Sequence, residues 1–188
     1  MKYFVGYDKR YNKDYEACAT SLGVQVEPTP NYLITRNQDG STEFTYSRFL
    51  IPWVCNFKGW ALYCDSDFIF LEDSRQLKSL IDSDYAVMVC KHPDYQPKTE
   101  FKMQGQKQTT YKRKNWSSLI LWNCNHKSNQ KLTPDLVNYA QGLYLHQFKW
   151  LQDNEIGDIP LEWNTLVGYT SLENAKALHY TDGTENMK

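Results

Sequence analysis

The apolar residues of the chain follow two patterns, and each predicts a different secondary structure. Short continuous apolar or aromatic runs predict buried strands, whereas apolar residues three or four positions apart predict helices. The predicted strands span residues 2–7, 24–26, 60–64, 85–90 and 116–123, with a strand-like run over 175–183. The predicted helices span residues 14–22, 43–57, 74–81 and 134–144. Pro52 should kink the second of these helices or mark its boundary.

The order of these elements predicts an α/β protein. A strand, a helix and a second strand follow one another from the first residues, which is how a parallel nucleotide-binding sheet begins. Polar stretches at 28–43 and 93–115 predict loops, and the second, rich in Lys and Gln, is long enough to be a lid or a binding loop. The sequence contains neither G-x-G-x-x-G nor a Walker loop, which excludes the two commonest phosphate-binding motifs.

Two aspartates one residue apart, Asp65 and Asp67, end the strand predicted at 60–64. Ionised carboxylates this close repel each other and raise each other's pKa unless a cation neutralises them. Oxygen ligands favour Mg²⁺ or Mn²⁺, and such ions keep positions open for substrate phosphates. The carboxyl end of a strand is also where open α/β sheets bind ligands. The alternative is a solvated turn, because loops are rich in aspartate.

Two further polar residues interrupt apolar segments. Arg48 lies among the apolar positions of the helix predicted at 43–57. It either extends to the surface or directs its charge at a phosphate or at the two carboxylates. His179 ends the last apolar run, and it is either a surface residue or a third metal ligand that reaches back to the aspartates.

Composition narrows the class of protein. The chain has 188 residues, and we predict one domain, 1–188, with its own core. The aromatic share of 15% suits stacking on bases or sugars, and a net charge of −1 argues against nucleic-acid binding. Five scattered cysteines without a Cys-x-x-Cys pair predict reduced core residues. The apolar runs are too short for a membrane span or a signal peptide, so we expect a cytoplasmic protein.

Four motifs occur in order along the chain. They are Thr45-Tyr-Ser-Arg48-Phe-Leu-Ile-Pro52, Ala61-Leu-Tyr-Cys-Asp65-Ser-Asp67, Trp116-Ser-Ser-Leu-Ile-Leu-Trp-Asn123, and Asp153-Asn-Glu155 with Leu161-Glu-Trp-Asn164. Together they resemble the motifs of the GT-A glycosyltransferases, specifically the family 8 type of sugar-nucleotide-dependent transferases and their compact bacterial and viral relatives. The resemblance extends from Gly6 to Gly183. It implies a single GT-A, Rossmann-like domain with a mixed, mostly parallel central sheet flanked by helices.

The same resemblance implies the ligands and the residues that contact them. The donor is a nucleotide-diphosphate sugar, UDP-linked, the acceptor is a saccharide or glycan, and Mn²⁺ or Mg²⁺ is held by Asp65, Asp67 and His179. The other implied donor contacts come from Gly6, Tyr7, Asp8 and Tyr11 at the base, from Arg48 and Ser66 near the pyrophosphate or the sugar, and from Ser117 and Ser118 at the sugar hydroxyls. Asp153 and Glu155 are implied near the transferring sugar, where they would act with Arg48 in catalysis.

The chain departs from the family pattern mainly at its end. The closing H-x-x-G-x-x-K-P-W is absent, because His179-Tyr-Thr-Asp-Gly183 places the glycine one position late. The family's Asn and Gly around the small-residue pair are replaced by Trp116 and Ser118, and its middle Gln by Asn154. The lysine that contacts the leaving phosphate has four candidate replacements, which are Lys188, Lys112, Arg113 and Lys114.

We therefore predict a metal-dependent hexosyltransferase that retains the anomeric configuration. In that reaction the cation neutralises the diphosphate leaving group, and carboxylate or amide oxygens stabilise the cation-like sugar. Two alternatives remain open at this point. One is a nucleotide-sugar-binding protein without turnover, and the other is a metal-dependent phosphatase or nucleotidyltransferase that uses the same two carboxylates.

Overall fold

The computed structural model describes residues 1–37, 40–92, 101–102, 106–107 and 111–187. Its strands are β1 (Lys2–Val5), β2 (Glu27–Pro28), β3 (Trp60–Cys64), β4 (Phe68–Phe70), β5 (Val87–Val89), β6 (Phe101–Lys102), β7 (Gln106–Lys107), β8 (Leu119–Asn123), β9 (Ile156–Asp158), β10 (Thr165–Leu166) and β11 (Ala177–His179). Its α-helices are α1 (Asn12–Leu22), α2 (Ile51–Val54), α3 (Pro134–Tyr139) and α4 (Gly142–His146). Short 3₁₀ helices include Ser47–Leu50, Ser74–Leu80, Trp116–Ser118, Asp153–Glu155 and Leu161–Asn164.

The central sheet has six strands in the order β2-β1-β3-β8-β5-β9. Strand β1 pairs in parallel with β2 and β3, and β5 pairs in parallel with β9. Strand β8 runs antiparallel to both of its neighbours, β3 and β5. Because of this one reversed strand, the carboxyl ends of β3 and β5 meet at the same edge of the sheet. A smaller sheet, β10-β11-β4, lies against that edge.

Both faces of the central sheet are covered by apolar side chains. Ala61 and Tyr63 of β3 belong to one core, together with side chains of the 47–54 helical segment. Leu62 and Cys64 belong to the other core, which includes side chains of α1 and β4. A strand buried on both faces reads as a continuous apolar run, which is why the sequence predicted β3 correctly at both ends.

Several predicted elements are shorter than expected or are shifted. Residues 24–26 are not a strand, because the parallel pairing with β1 begins only at Glu27. The predicted 43–57 helix reduces to a 3₁₀ turn followed by α2, with Pro52 at the start of α2. Pro lacks the N–H that an α-helix needs beyond its first turn, so it marks a boundary here.

Two further predicted elements are divided. The 116–123 strand begins at Leu119, because Asn115 has a left-handed backbone (φ 66°) and starts a 3₁₀ turn over Trp116–Ser118. The 134–144 helix separates into α3 and α4, since Ala140 and Gln141 are extended. The 74–81 helix is a 3₁₀ helix, and β4, β9 and β10 were not predicted at all.

Other predictions agree with the structure. Helix α1 ends at Gly23, which takes the left-handed conformation (φ 65°) that glycine adopts without strain. All five cysteines are buried thiols. Among the helices of the described ranges, none has the length and apolar composition needed to span a membrane.

Candidate active site

Asp65 and Asp67 lie in the turn between β3 and β4, at the edge of the central sheet where β3 and β5 end. The Asp65 N–H donates to the carbonyl of Ser118, 2.9 Å away, which fixes the start of this turn against β8. Strand β4 then pairs with β11, and this pairing sets His179 opposite Phe68, the residue after Asp67. The sheet register therefore brings His179 to the aspartates, although it lies far from them in sequence.

The two aspartates and His179 form a compact ligand cluster. One ligand atom from each of the three residues lies within 4.8 Å of the others. His179 Nε2 is 3.5 Å from Asp67 Oδ2, and the side chains of His179 and Asp67 are only 3% and 11% exposed. The second carboxylate oxygen of Asp67, Oδ1, is buried and has no hydrogen-bond partner among the described residues.

A hydrogen-bond chain fixes the orientation of the His179 ring. The Asn164 amide oxygen, which can only accept, lies 2.8 Å from His179 Nδ1, so Nδ1 carries a proton and Nε2 is the ring nitrogen that faces Asp67. The Asn164 amide nitrogen donates to Ser118 Oγ at 3.0 Å, and that hydroxyl donates to the Asn115 carbonyl at 2.6 Å. The Phe68 ring stacks on the His179 imidazole, with ring centroids 4.4 Å apart.

This arrangement fits a divalent cation. A histidine lone pair directed at a carboxylate is repulsive unless a cation or a proton lies between them, and a buried carboxylate oxygen without a donor is costly. Two carboxylates and one imidazole are ligands that Mn²⁺ and Mg²⁺ accept, and the amide behind the histidine is the outer partner that metal-binding histidines have. The Asp65, Asp67 and His179 side chains can therefore hold the predicted metal.

Arg48 is directed at the carboxylates. Its guanidinium lies 2.6 Å from Asp65 Oδ1, and its side chain is only 6% exposed. It also donates to the carbonyls of Phe44, Thr45 and Ser117. Tyr63 donates its hydroxyl to the same Asp65 oxygen. Of the two interpretations of Arg48 drawn from the sequence, a surface residue or a charge aimed into the site, the structure agrees with the second.

Burial raises the pKa of Asp65 to about 6. Arg48 opposes this rise because its charge favours the carboxylate, and the neighbouring Asp67 charge adds to it. Burial likewise raises the pKa of the Tyr63 phenol well above its ordinary value, so Tyr63 remains a donor. The Asp65 carboxyl therefore changes its ionisation state just below neutral pH.

The residues implied at the base lie in the loop after β1 and in the 3₁₀ turn that follows it. Gly6 lies under the Phe44 ring, where a Cβ would come within 2.6 Å of a ring carbon, so only glycine fits. Tyr7 makes an edge contact with Tyr15, with centroids 5.2 Å apart, and is half-buried. Tyr11 is buried against Met187 of the C-terminal segment.

Asp8 is already satisfied within the protein. Burial disfavours its charged form, but hydrogen bonds from Arg10 and from the Glu43 N–H lower the pKa of this carboxyl. Both of its oxygens accept from these groups. Asp8 therefore fixes the 8–11 turn against residue 43, and a direct contact to a base would have to displace one of these donors.

The three serines implied in the donor site are all buried, with different partners. Ser66 lies between the aspartates, and its hydroxyl has no hydrogen-bond partner among the described residues. The Ser117 hydroxyl lies 2.8 Å from His146 Nδ1. The Ser118 hydroxyl belongs to the chain that orients His179. Among these three serines, Ser66 alone has a hydroxyl without a hydrogen-bond partner in the described residues.

The implied catalytic pair, Asp153 and Glu155, does not lie at the cluster. The Glu155 carbonyl accepts from the Ala86 N–H at 2.8 Å, at the amino end of β5, and its carboxylate accepts from the Ser128 hydroxyl at 2.5 Å. Because Asp65 follows the carboxyl end of β3, Glu155 lies at the opposite edge of the sheet. Asp153 is 94% exposed and pairs with Arg113. The sequence could not reveal this, because both carboxylates lie directly before strand β9, which the sequence did not predict.

The candidate cations of the basic loop differ in their surroundings. Arg113 is engaged by Asp153 and the Gln147 carbonyl, and Lys112 is exposed. Lys114 is buried, with its ammonium 5.9 Å from the centre of the Tyr111 ring. Burial raises the pKa of the Tyr111 phenol. The charges of Arg48 and Asp65 also act on this pKa, in opposite directions, because the phenol lies near both side chains. Lys188, the fourth candidate, lies outside the described residues.

The chain after His179 leads from the cluster to the loop after β1. The Tyr180 N–H donates to the Asp67 carbonyl at 3.0 Å. Thr184 then donates its hydroxyl to Asp14 at 2.5 Å, at the start of α1. The segment thus connects the ligand cluster with the start of α1.

A protein of similar sequence establishes the family to which the chain belongs. Protein CDI of Arabidopsis thaliana is 44% identical to the chain over 203 residues, which cover 97% of this chain and 78% of that protein. The chain belongs to the family of Protein CDI. No protein-family model matches this CDI-family sequence.

Solved structures show the fold of the CDI-family chain. The bifunctional glycosyltransferase WbbM superimposes with a TM-score of 0.68 at 13% identity, over 98% of this chain and 46% of that chain. The glycosyltransferase GlyE of Streptococcus pneumoniae TIGR4 gives a TM-score of 0.60 at 18% identity, over 95% of this chain and 54% of that chain. The chain therefore spans about half the length of these two proteins. The predicted GT-A architecture, a mixed, mostly parallel sheet flanked by helices, is confirmed.

Sequence reasoning missed two site residues of the CDI-family chain. Tyr63 reads as a core residue of β3, and nothing in the pattern signals its bond to Asp65. Asn164 lies in a motif that the sequence singled out, but its role as the partner of His179 depends on the β4–β11 pairing.

We predict that Asn164→Ala weakens metal binding about ten- to a hundredfold, because the His179 ring loses the acceptor that fixes its tautomer and orientation. Mn²⁺ titration followed by electron paramagnetic resonance measures this affinity. The matched control is Asn125→Ala, which removes an exposed amide that accepts from the Gly59 N–H, and it should bind Mn²⁺ like the wild type. Equal affinities for all three proteins would remove Asn164 from the site.

We predict that the metal reverses the pH dependence of stability. The folded pKa of Asp65, about 6, lies above the ordinary value of 3.8, so the folded protein binds the proton more tightly than the unfolded chain. Without metal, this group should cost stability as the pH rises from about 4 to 6, by up to roughly 3 kcal/mol. Mn²⁺ needs the carboxylate, so its stabilisation should grow over the same interval. Thermal melts with Mn²⁺ and with EDTA at about pH 5 and pH 7.5 test both signs.

Proposed function

We propose that the chain is a metal-dependent glycosyltransferase that transfers a hexose from a nucleotide-diphosphate sugar, UDP-linked, to a saccharide acceptor. The observation that carries the proposal is the Asp65, Asp67 and His179 cluster, with a buried unpartnered carboxylate oxygen at the carboxyl end of β3. Its position on a fold shared with glycosyltransferases supports the same conclusion. We also propose that the whole chain works as one domain.

Each residue of the cluster has a separate task in this proposal. Asp65, Asp67 and His179 hold Mn²⁺ or Mg²⁺, and the bound ion neutralises the charge that develops on the diphosphate leaving group. Asn164 keeps His179 in the metal-binding tautomer. Arg48 holds Asp65 in place by an ion pair at 2.6 Å and favours its ionised form. Ser66 offers its unused hydroxyl to the donor.

We assign the donor's base to the loop after β1. Tyr7 is half-buried and can offer a ring face for stacking, whereas Gly6 keeps the backbone close to the Phe44 ring. Asp8 and Tyr11 act by shaping this loop, since Asp8 is bonded to Arg10 and Tyr11 packs on Met187. Lys114, the buried lysine of the basic loop, takes the place of the family's phosphate-binding lysine.

Retention of configuration, as in family 8, belongs to the same proposal. With Glu155 at the opposite edge and Asp153 paired with Arg113, the described residues place no acidic side chain beyond Asp65 and Asp67 at the cluster. The cation-like sugar is then stabilised by the donor's own diphosphate oxygens and by amide or hydroxyl oxygens of the site. The anomeric proton coupling of the product, measured by NMR, distinguishes retention from inversion.

A second candidate function has a specific observation in its favour. Because both implied catalytic carboxylates are engaged elsewhere, the site could bind a nucleotide sugar without turning it over. In this alternative, the chain binds the metal ion and the nucleotide sugar as proposed above but does not transfer the sugar.

A donor screen tests the proposal. The wild-type chain is incubated with a panel of UDP- and GDP-sugars in Mn²⁺, in Mg²⁺ and in EDTA, and the released products are identified. The proposal expects slow, metal-dependent release of nucleoside diphosphate from one donor. Tight metal-dependent UDP binding with no release from any donor would favour the binding protein. Release of free phosphate or of a nucleoside monophosphate would instead identify a phosphatase or a nucleotidyltransferase.

A further inference from the structure

The five cysteines of the chain differ in their exposure. Cys55 keeps 8% of its surface exposed, whereas the other four are completely buried, namely Cys18, Cys64, Cys90 and Cys124. Burial also raises the pKa of the Cys64 and Cys90 thiols well above the ordinary value, so both remain protonated. The thiolate is the reactive form of cysteine, and a protonated thiol in apolar surroundings is inert. Cys55 is thus the cysteine that a small solute can reach.

Cys55 lies against a second cysteine at the edge of the central sheet where β3 begins. It directly follows α2, and its N–H donates to the Ile51 carbonyl at 3.0 Å. Cys124 directly follows β8, and its N–H donates to the Gly59 carbonyl at 2.9 Å. The Cys124 thiol donates a hydrogen bond to the Cys55 sulfur. The turn over residues 55–59 thus holds the two sulfur atoms within hydrogen-bond distance of each other.

This hydrogen bond makes the two sulfur atoms unequal. It lowers the pKa of the Cys55 thiol, burial opposes the shift, and the charge of Lys2 adds to it more than the charge of Glu27 opposes it. The same bond raises the pKa of the Cys124 thiol, and burial adds to that rise. Cys55 is accordingly the nucleophile of the pair, and Cys124 is its protonated partner.

The turn after Cys55 has an unusual backbone. Asn56 and Phe57 follow it, and both have positive φ values, 51° and 52°. Left-handed backbone is uncommon for residues other than glycine, above all for bulky ones, and strained residues cluster at active sites and switch regions. A disulfide would bring the two sulfur atoms to a bonding distance of about 2.05 Å, which requires this turn to shift. A strained turn beside one of the two cysteines suits such a shift.

We propose that Cys55 and Cys124 form a peroxide-sensitive dithiol, in which Cys55 is oxidised first and Cys124 converts the product to a disulfide. The Cys55 thiolate attacks one oxygen of hydrogen peroxide, which gives a sulfenic acid and hydroxide. The Cys124 thiol then attacks the sulfenic sulfur, so that the S–S bond forms and water leaves. Two thiols and one peroxide thus give one disulfide and two waters, with the sulfur atoms oxidised and the peroxide oxygens reduced.

The dithiol is separate from the proposed transferase site. Trp60 pairs with Asn123, so Cys124 lies beside the amino end of β3, whereas Asp65 follows the carboxyl end of the same strand. A strand of this length, Trp60–Cys64, spans roughly 16 Å. The inference therefore does not rest on the transferase function, and neither can fail because the other does.

The test maps the disulfide in peroxide-treated protein. Wild-type protein is treated with hydrogen peroxide, the remaining thiols are blocked with N-ethylmaleimide under denaturing conditions, and the peptides are identified by mass spectrometry. Cys55→Ala and Cys124→Ala are treated in the presence of dimedone, which traps sulfenic acids. Cys18→Ala is the matched control, because Cys18 and Cys64 form a second pair, with sulfur atoms 3.6 Å apart but no exposed surface.

We expect the wild type to lose two of its five thiols, joined as a disulfide between Cys55 and Cys124 that dithiothreitol reduces. The bond should raise the melting temperature by about 5–10 °C, because it closes the long loop between these residues. In Cys124→Ala, dimedone should label Cys55 at least about tenfold faster than Cys90, whose thiol stays protonated. Cys18→Ala should form the same disulfide as the wild type.

Three results would overturn the inference. In the first, all five thiols of the wild type survive a peroxide concentration that oxidises free cysteine in solution. In the second, Cys18 and Cys64 form the disulfide in place of Cys55 and Cys124, which would mean that exposure does not select the reactive pair. In the third, dimedone labels Cys124 in Cys55→Ala as fast as it labels Cys55 in Cys124→Ala. The first two are read from the wild type, so they decide the matter even where a variant fails to fold.

Discussion

Asp67→Asn is expected to abolish metal-dependent activity while making the metal-free protein more stable. The substitution keeps the shape of the side chain but removes its charge, so transfer or donor hydrolysis should fall on the order of a thousandfold. In the metal-free protein, Asp67 Oδ1 is buried without a partner among the described residues, and the Asp67 charge lies beside Asp65 and raises the pKa of that carboxyl. Removing that charge should raise the free energy of unfolding by about 1 kcal/mol.

The opposite signs of these two effects distinguish a metal ligand from a structural residue. Donor hydrolysis in Mn²⁺ and denaturant unfolding in EDTA are measured on the same preparations. Asp73→Asn is the matched control, because Asp73 is a solvent-exposed carboxylate paired with Arg75 on the 74–80 helix. The control should change neither quantity. If Asp67→Asn destabilised the metal-free protein and left hydrolysis intact, the assignment of Asp67 as a ligand would be wrong.

Arg48→Met is expected to cause the largest loss of stability, and the loss should depend on pH. Arg48 is buried, pairs with Asp65 and donates to three backbone carbonyls, so its removal leaves a buried carboxylate and several unpaired acceptors. Breaking a buried pair in this way costs about 3–5 kcal/mol. Below about pH 6 Asp65 takes up a proton, and the part of the loss that comes from its charge should disappear.

Denaturant unfolding at about pH 5 and pH 8 measures the two components of this loss. The double variant Arg48→Met/Asp65→Asn removes the charge as well and should recover part of the stability at the higher pH. Arg75→Met removes a guanidinium from an exposed ion pair and should be indistinguishable from the wild type. An equal loss from Arg48→Met at both pH values would mean that Arg48 stabilises the fold without acting on the ionisation of Asp65.

Strands with both faces buried could be predicted because their signal is local. Strand β3 is a continuous apolar run, and its bounds follow from the sequence alone. Strands β4, β9 and β10 are two or three residues long, and they exist because neighbouring strands pair with them. Such pairing joins residues that are distant along the chain, and no local period records it. The same limit explains the divided helices, where tertiary contacts override a helical spacing.

The residues of the site likewise fall into those that the sequence predicted and those that only the folded structure revealed. The aspartate pair was predictable because adjacent carboxylates at a strand end need a cation, and Arg48 because a charge among apolar residues needs a partner. The opposite position of Glu155 was not predictable, since it follows from β8 being the reversed strand between β3 and β5.

The sequence by itself determined the α/β class, the strand that carries the aspartates and the chemistry that two adjacent carboxylates require. Only the tertiary structure decided which distant groups complete the site, because the register of β4 with β11 sets the place of His179. It also decided that Asp153 and Glu155 lie away from the cluster. Residue type fixes what a side chain can do, whereas strand order and register fix what it meets.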